Sequence, residues 1–463
     1  RRVFGLGNRP GESDAQASRF FPQPWNDAEM IVASPLARGT MGYQTVAETD
    51  VYDVLHDVRK RFSIDEDRIY LTGLSMGGGG VLWLGFTRPD TWAALAAVCP
   101  APPEGVEPLA GNALNLPVKL FQGALDPIVP ASSTSQWHSR LRHAGVSAEY
   151  VEYPGVRHNS WDRAYRGGAI FEWLGQFRRN RNPERVRFRT DAYKYGTAYW
   201  LRIDRLTPGQ AAEFDGTLKG PNLEAKTSGI ESFSVVGRVT AAKVDGQNVA
   251  RPRAVAGRTS FHRTKGGRWA VGAVMPGKGE KRRGAEGPIA DAISTRHVYV
   301  YGAEGRVPAE QAADWSTRRS RLNLSLRVLR DTEIAAGDIA NANVVAFGTR
   351  ETNRLIARYA DQLPMHLNPG AADYGLLYAY PVEGRYVVVS SGLPWWTRHD
   401  QAPPRGLPFL SVPYRILGTL GDFVLFKGGL DNVVAEGRFD NKWQLPQDTA
   451  ARLRATGAVT LRP

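Results

Sequence analysis

The stretch "YLTGLSMGGGG", residues 70–80, limits what this chain can fold into more than any other part of it. An apolar run stops at Gly73, one hydroxyl follows at Ser75, and the glycines at 77–80 lead into a second apolar run, "VLWLGF". A strand that turns directly into a helix strains the backbone of the turn residue, and side chains two positions before and after it collide with the adjoining elements. Gly73 and Gly77 remove that collision, so the segment reads as a sharp strand-turn-helix with Ser75 at its apex. A helix that begins directly behind a serine turns its unbonded N–H groups and its positive dipole end towards that residue. Ser75 therefore reads as a nucleophile, with the Met76 N–H as an oxyanion donor.

The flanking pattern supplies the sheet that such a turn needs. Between residues 30 and 180 apolar runs alternate with amphipathic segments, the arrangement that builds a mostly parallel sheet covered by helices on both faces. "EMIVASPL" reads as a buried strand. "AETDVYDVLHDVRKRF" reads as a helix with Val51, Val54, Leu55, Val58 and Phe62 on one stripe, acids early and bases late. "RIYLTG", "LAAVCP", "PVKLFQGALD" and "AEYVEYPG" read as further strands. "SSTSQWHSRLRHAG", with a serine as candidate N-cap, and "GGAIFEWLGQFRRN" read as helices, giving the order β-α-β-α-β-β-α-β-α.

A serine hydroxyl is too weakly acidic to attack unaided, so a base and an orienting acid are required. Asp126 in "GALDPIVP" directly follows a strand, with prolines closing a rigid turn behind it. His158 in "YPGVRHNSW" falls between the final strand and the last helix, whereas His56, His138 and His143 fall within helices. The chain order Ser75, Asp126, His158 is the order this kind of sheet uses for a catalytic triad. The single cysteine, Cys99 in "AAVCPAP", leaves no disulfide framework or cysteine cluster for a metal, and its apolar setting reads as buried and inert. Neither a metal nor another cofactor is expected.

The elbow, the "LDPIVP" acid turn, the "GVRHNSW" histidine turn and the block "DVYDVLHDVRKRFSIDEDRIYLTGLSMGG" resemble the α/β-hydrolase domain of prolyl-oligopeptidase-type and esterase-type serine hydrolases. That group includes the feruloyl esterase and polyhydroxyalkanoate depolymerase relatives, and the resemblance covers about residues 28–180. It implies acyl transfer in which Ser75 attacks an ester or amide carbonyl, His158 takes and returns the proton, and Asp126 orients the imidazole. One departure stands out: the family's His-Gly pair, which precedes the second oxyanion donor, does not occur before Ser75. The second donor is therefore unknown from the sequence. Either the "GLGNRPG" segment substitutes for that pair or the chain begins downstream of it; the expectation is the second, a processed or truncated start with N-terminal strands missing, which another chain could supply. Arg38 and Tyr43 in "PLARGTMGYQ" and Trp161 behind the histidine turn are candidate substrate-binding residues.

Beyond residue 180 the pattern changes. Period-two alternation such as Val186, Phe188, then Tyr199, Leu201 and Ile203 marks half-buried antiparallel strands and a small β-sandwich. From "GPIADAISTRHVYVYG" onward strands alternate with helices again (strand 297–302, helix 308–320, strand 323–329, helix 331–340), which reads as a second doubly wound α/β domain. The expected domains are 1–180 (α/β-hydrolase), 185–280 (β-sandwich) and 281–463 (C-terminal α/β accessory). Glycines at the strand ends of that last domain lack the spacing of a dinucleotide fingerprint and the lysine of a phosphate loop. Trp395-Trp396 reads either as core or as a contact surface.

With 42% hydrophobic and 23% charged residues the chain is an ordinary globular one. The net charge of +13 is scattered, and the basic run within 263–284 reads as a solvated loop, so no nucleic acid is expected. No apolar run approaches the roughly 18 to 20 residues of a membrane span, so the protein reads as soluble, with cytoplasm, periplasm and export all open. The combined expectation is a serine hydrolase of small or polymeric carboxylic esters. A serine peptidase acting on short peptides and a non-catalytic binding or scaffold protein are the alternatives. A homo-oligomer, or association with the missing N-terminal segment, completes the list of partners.

Overall fold

Four parallel strands in strictly sequential order form the sheet on which Ser75 sits: β1 (Tyr70–Leu74), β2 (Ala94–Val98), β3 (Val118–Gly123) and β4 (Ala148–Tyr153). The computed structural model describes residues 13, 15–16, 28–38, 42–249, 254–255, 257–314, 324–398 and 416–462. The chain forms two compact units, 1–36 with 50–276 and 37–49 with 277–463.

In the first unit the strands are fully buried in the middle of the sheet, where Ala94 to Val98 have no exposure, as an apolar run covered on both faces requires. Alternate side chains face opposite ways. Ala94, Ala96 and Val98 pack with Ile170, Phe171 and Leu174 of α5 (Ala169–Gly175). Leu95 faces α2 (Met76–Thr87), which approaches so closely at Gly85 that an added Cβ would stand 2.4 Å from the leucine Cδ1. α1 (Val46–Arg61) carries Glu48 in its first turn and Arg59, Lys60 and Arg61 in its last, matching the helix dipole. α3 (Ala131–His143) and the single turn α4 (Trp161–Ala164) complete this part.

Three expectations need correction. "EMIVASPL" forms no strand: residues 31–36 are irregular and Ile31 is 54% exposed, although β1 pairs only with β2 and leaves its other edge unpaired among the described residues, so an apolar composition alone does not make a strand. Phe62 lies past the end of α1 and is exposed. The N-cap of α3 is Pro130, with no side-chain cap from the serines; its fixed φ starts the helix instead.

Residues 185–271 form two further sheets, one of six strands and one of five. Phe188 and Phe214 from one meet Phe233, Phe261 and Trp269 from the other in one core, a β-sandwich. Asn112 links the sandwich to the surroundings of the four-stranded parallel sheet within this unit. Its Nδ2 donates to the carbonyls of Phe86 and Arg189, both at 2.9 Å, and its Oδ1 accepts from the Arg189 N–H at 2.7 Å.

The second unit holds a seven-stranded sheet. Val328–Arg330, His297–Tyr301, Asn343–Phe347 and Arg385–Gly392 run parallel, with the short helices Arg306–Asp314, Ala336–Ile339 and Arg354–Arg358 between them in sequence. Tyr374–Val382, Phe423–Lys427 and Gly429–Gly437 extend it antiparallel. The part of the expected helix at 315–320 lies outside the described residues. Trp395 and Trp396 are buried edge to face, their ring centres 4.4 Å apart, so they belong to the core. Within the basic run at 263–284, Lys281 is buried and paired with Asp422 instead of solvated. No described helix is long and apolar enough to cross a membrane.

Candidate active site

Ser75 stands between β1 and α2 with φ 53° and ψ −118°, a conformation that β-carbon-bearing residues rarely adopt. Three backbone bonds hold it there. Its N–H donates to Val98 O at 2.9 Å, and its carbonyl accepts from the N–H groups of Gly79 and Ala101, each at 3.0 Å. The glycines are needed for space: a Cβ at Gly73 would stand 2.5 Å from Gly77 O, and one at Gly79 2.0 Å from Ala101 O. The Met76 N–H is the first of α2, among those without an intrahelical acceptor.

Asp126 follows β3 and His158 follows β4, so all three side chains gather beyond the C-terminal ends of parallel strands, where such sheets place their ligands. His158 Nε2 lies 3.0 Å from Ser75 Oγ, and His158 Nδ1 lies 2.8 Å from Asp126 Oδ2. An ionised carboxylate only accepts, so Nδ1 carries the hydrogen and Nε2 is left to accept the serine proton. The Asp126 side chain is fully buried while that of His158 is 18% exposed. Burial pushes the Asp126 carboxyl upward, but the hydrogen bond from His158 and the N–H groups of Val129 and Ile128 on Oδ1 outweigh it, holding the carboxyl below its ordinary value.

Trp161 opens α4 and meets the His158 ring edge to face at 5.4 Å. Leu125 and Ile128, both exposed, flank Asp126. Arg38 and Tyr43 belong to the stretch 37–49 of the second unit, in left-handed backbone with φ 51° and 67°; burial raises the tyrosine hydroxyl. Sequence reasoning missed Gln122 and Thr134, both fully buried beneath Asp126. The signal was there: a glutamine in the otherwise apolar run "VKLFQG" needs buried hydrogen-bond partners.

Among the described residues one trio has metal-type donors close together, Cys99, Asp126 and His158, with ligand atoms within 4.8 Å of one another. The set suits a metal poorly. Both ring nitrogens of His158 and both Asp126 oxygens are already engaged, and burial pushes the Cys99 thiol up to about 11, leaving it protonated and donating to the His158 carbonyl.

Residues 46–167 match a family model described as phospholipase/carboxylesterase. Together with the parallel sheet and its two helical layers, this defines an α/β-hydrolase domain, in a chain whose further sheets are β-rich. Similar solved structures include a thermostable esterase, 27% identical over 28% of this chain and 37% of that one, with a TM-score of 0.26. The SOBER1 protein of Arabidopsis thaliana is 18% identical over 33% of this chain and 69% of that one, with a TM-score of 0.26. A ferulic acid esterase is 20% identical over 28% and 61%, with a TM-score of 0.25. The chain thus spans little more than a third of the thermostable esterase it matches. No curated protein matches it.

Proposed function

We propose that this protein is a serine hydrolase that cleaves carboxylic esters through an acyl-enzyme. The observation that carries the reading is the unbroken line from Ser75 Oγ to His158 Nε2 at 3.0 Å and from His158 Nδ1 to Asp126 Oδ2 at 2.8 Å, with the serine held at φ 53°. The carboxylesterase-type match over residues 46–167 supports an ester as the substrate class.

In this reading Ser75 Oγ attacks the ester carbonyl carbon as its proton passes to His158 Nε2. The resulting oxyanion lies against the Met76 N–H and the positive end of α2. When the tetrahedral intermediate collapses, the bond to the alkoxy oxygen breaks and His158 returns the proton to the leaving alcohol. Water, deprotonated by the same imidazole, then attacks the acyl carbon; the bond to Ser75 Oγ breaks, His158 returns the proton to that oxygen, and the acid leaves. Asp126 stays ionised and holds the ring in the reactive tautomer, as its several hydrogen bonds favour. Exposed Leu125 and Ile128 beside Asp126, with Trp161 against His158, favour an apolar acyl or leaving group over a charged one.

The test is labelling by a fluorophosphonate probe and turnover of a short-chain nitrophenyl ester beside a peptide anilide. Wild type should be labelled at one site and cleave the ester, and Ser75→Ala should lose both. Cleavage of the anilide at a comparable rate turns the assignment to a peptidase. Full turnover by Ser75→Ala overturns the serine mechanism, and absence of labelling in wild type points to a binding role.

A further inference from the structure

Gln122 lies at the buried end of β3, four residues before Asp126, with no exposure. Its Nε2 is 3.0 Å from Asp126 Oδ2, 2.9 Å from Val129 O and 3.3 Å from Gly123 O. These neighbours are all acceptors, and its Oε1 takes a hydrogen bond from the hydroxyl of fully buried Thr134 at 2.7 Å. The amide orientation is therefore chemically determined. Reversed, it would set a carbonyl oxygen against a carboxylate and two carbonyls. One N–H serves Asp126 and the other Val129, on the turn whose N–H groups bind the other carboxylate oxygen, Oδ1. Asp126 then receives four donors on two oxygens, which fills its accepting capacity and leaves it one orientation.

Resting on the serine-hydrolase reading, we infer that Gln122, itself held by Thr134, is the positioning residue that fixes Asp126 Oδ2 for the bond to His158. It is fully buried, and its hydrogen bonds go to Asp126, Val129, Gly123 and Thr134 rather than to the serine. Its effect passes through the carboxylate: Oδ2 accepts from Gln122 and from His158 at once, so losing the amide frees the carboxylate to rotate and removes a donor that favours its ionised form.

The experiment compares full-length Gln122→Leu, Gln122→Glu and Thr134→Val with wild type. Readouts are the rate of fluorophosphonate labelling, kcat and KM on a short-chain nitrophenyl ester across about pH 5 to 9, and thermal melting. Gln122→Leu should lower kcat and labelling about 10-fold with KM nearly unchanged and by a similar factor at every pH in this range, because His158, Val129 and Ile128 still hold the Asp126 carboxyl below its ordinary value and ionised. Gln122→Glu should differ in its pH dependence. Its protonated carboxyl still donates at the acid end, while at higher pH a second negative charge faces Oδ2, so its loss grows with pH. Thr134→Val should show the Gln122→Leu pattern at about a third of the size. A loss that is flat with pH in Gln122→Leu and grows with pH in Gln122→Glu supports the inference, since a merely loosened core lowers both alike. Wild-type kcat and labelling in Gln122→Leu overturn it. If that variant does not fold, parallel losses at all pH in the other two overturn it equally. Failure of the underlying reading shows separately, as full turnover in Ser75→Ala.

Discussion

Gly73→Ala tests whether the strand-turn-helix junction is as tight as the positions of Gly73 and Gly77 require. A methyl group at residue 73 would sit 2.5 Å from Gly77 O and 2.6 Å from Gly77 C, whereas real Cβ atoms essentially never come nearer than 3.0 Å. Both obstacles are backbone, so no side chain can swing aside. β1 and the start of α2 must part by about half an ångström to reach that floor, and by nearly 1 Å to reach ordinary contact. Ser75 lies between the two positions in the chain and takes the displacement directly. Its 3.0 Å bond to His158 then stretches towards or past the limit of a useful hydrogen bond. A misplacement of about 1 Å costs on the order of 10²-fold in rate, and forced overpacking about 1–3 kcal/mol in stability. The assay is fluorophosphonate labelling rate with urea melting, beside Gly337→Ala, where an added Cβ meets nothing within 4 Å. The control should be neutral or stabilise slightly, by up to about 1 kcal/mol. A Gly73→Ala protein that labels and melts like wild type would show that the junction is slack and the steric argument wrong.

Two further predictions concern stability. Burial depresses His297 from 6.5 to about 4, so between those values the unfolded chain binds a proton that the native protein refuses. Stability of the second unit should therefore fall as pH drops through that window, by about 3 kcal/mol in all, and His297→Gln should flatten the slope in urea melts; equal slopes would refute the assignment. Asn112→Ala strips the partner from the Arg189 N–H and from two carbonyls at a buried position, so it should cost about 2–4 kcal/mol; a loss below about 0.5 kcal/mol would mean that water replaces the amide.

The sequence by itself determined the parts that rest on local geometry and on order along the chain. Gly73, Ser75 and Gly77 specify a turn because only residues without a side chain fit two positions either side of it. Strand ends followed by Asp126 and His158 place both groups on the same sheet edge as the serine. The apolar runs at β1 to β4 became strands because each finds a parallel neighbour on the next. Period-two alternation from Val186 to Ile203 identified the sandwich for the same reason.

What depends on a distant neighbour was decided only by the tertiary structure. "EMIVASPL" has the composition of a strand and stays irregular, because pairing depends on where the run is placed relative to a sheet edge and composition does not fix that. Whether Trp395-Trp396 is core or surface, and whether Lys281 is solvated or paired with Asp422, turns on what packs over them. Gln122 shows the division most clearly. Its polarity within an apolar strand announced that partners must exist, but which groups they are depends on how the turn at 126–129 and the helix carrying Thr134 fold back over it. Backbone sterics act between residues a few positions apart and can be read along the chain, whereas burial and hydrogen bonding are settled by residues that meet only once the chain has folded.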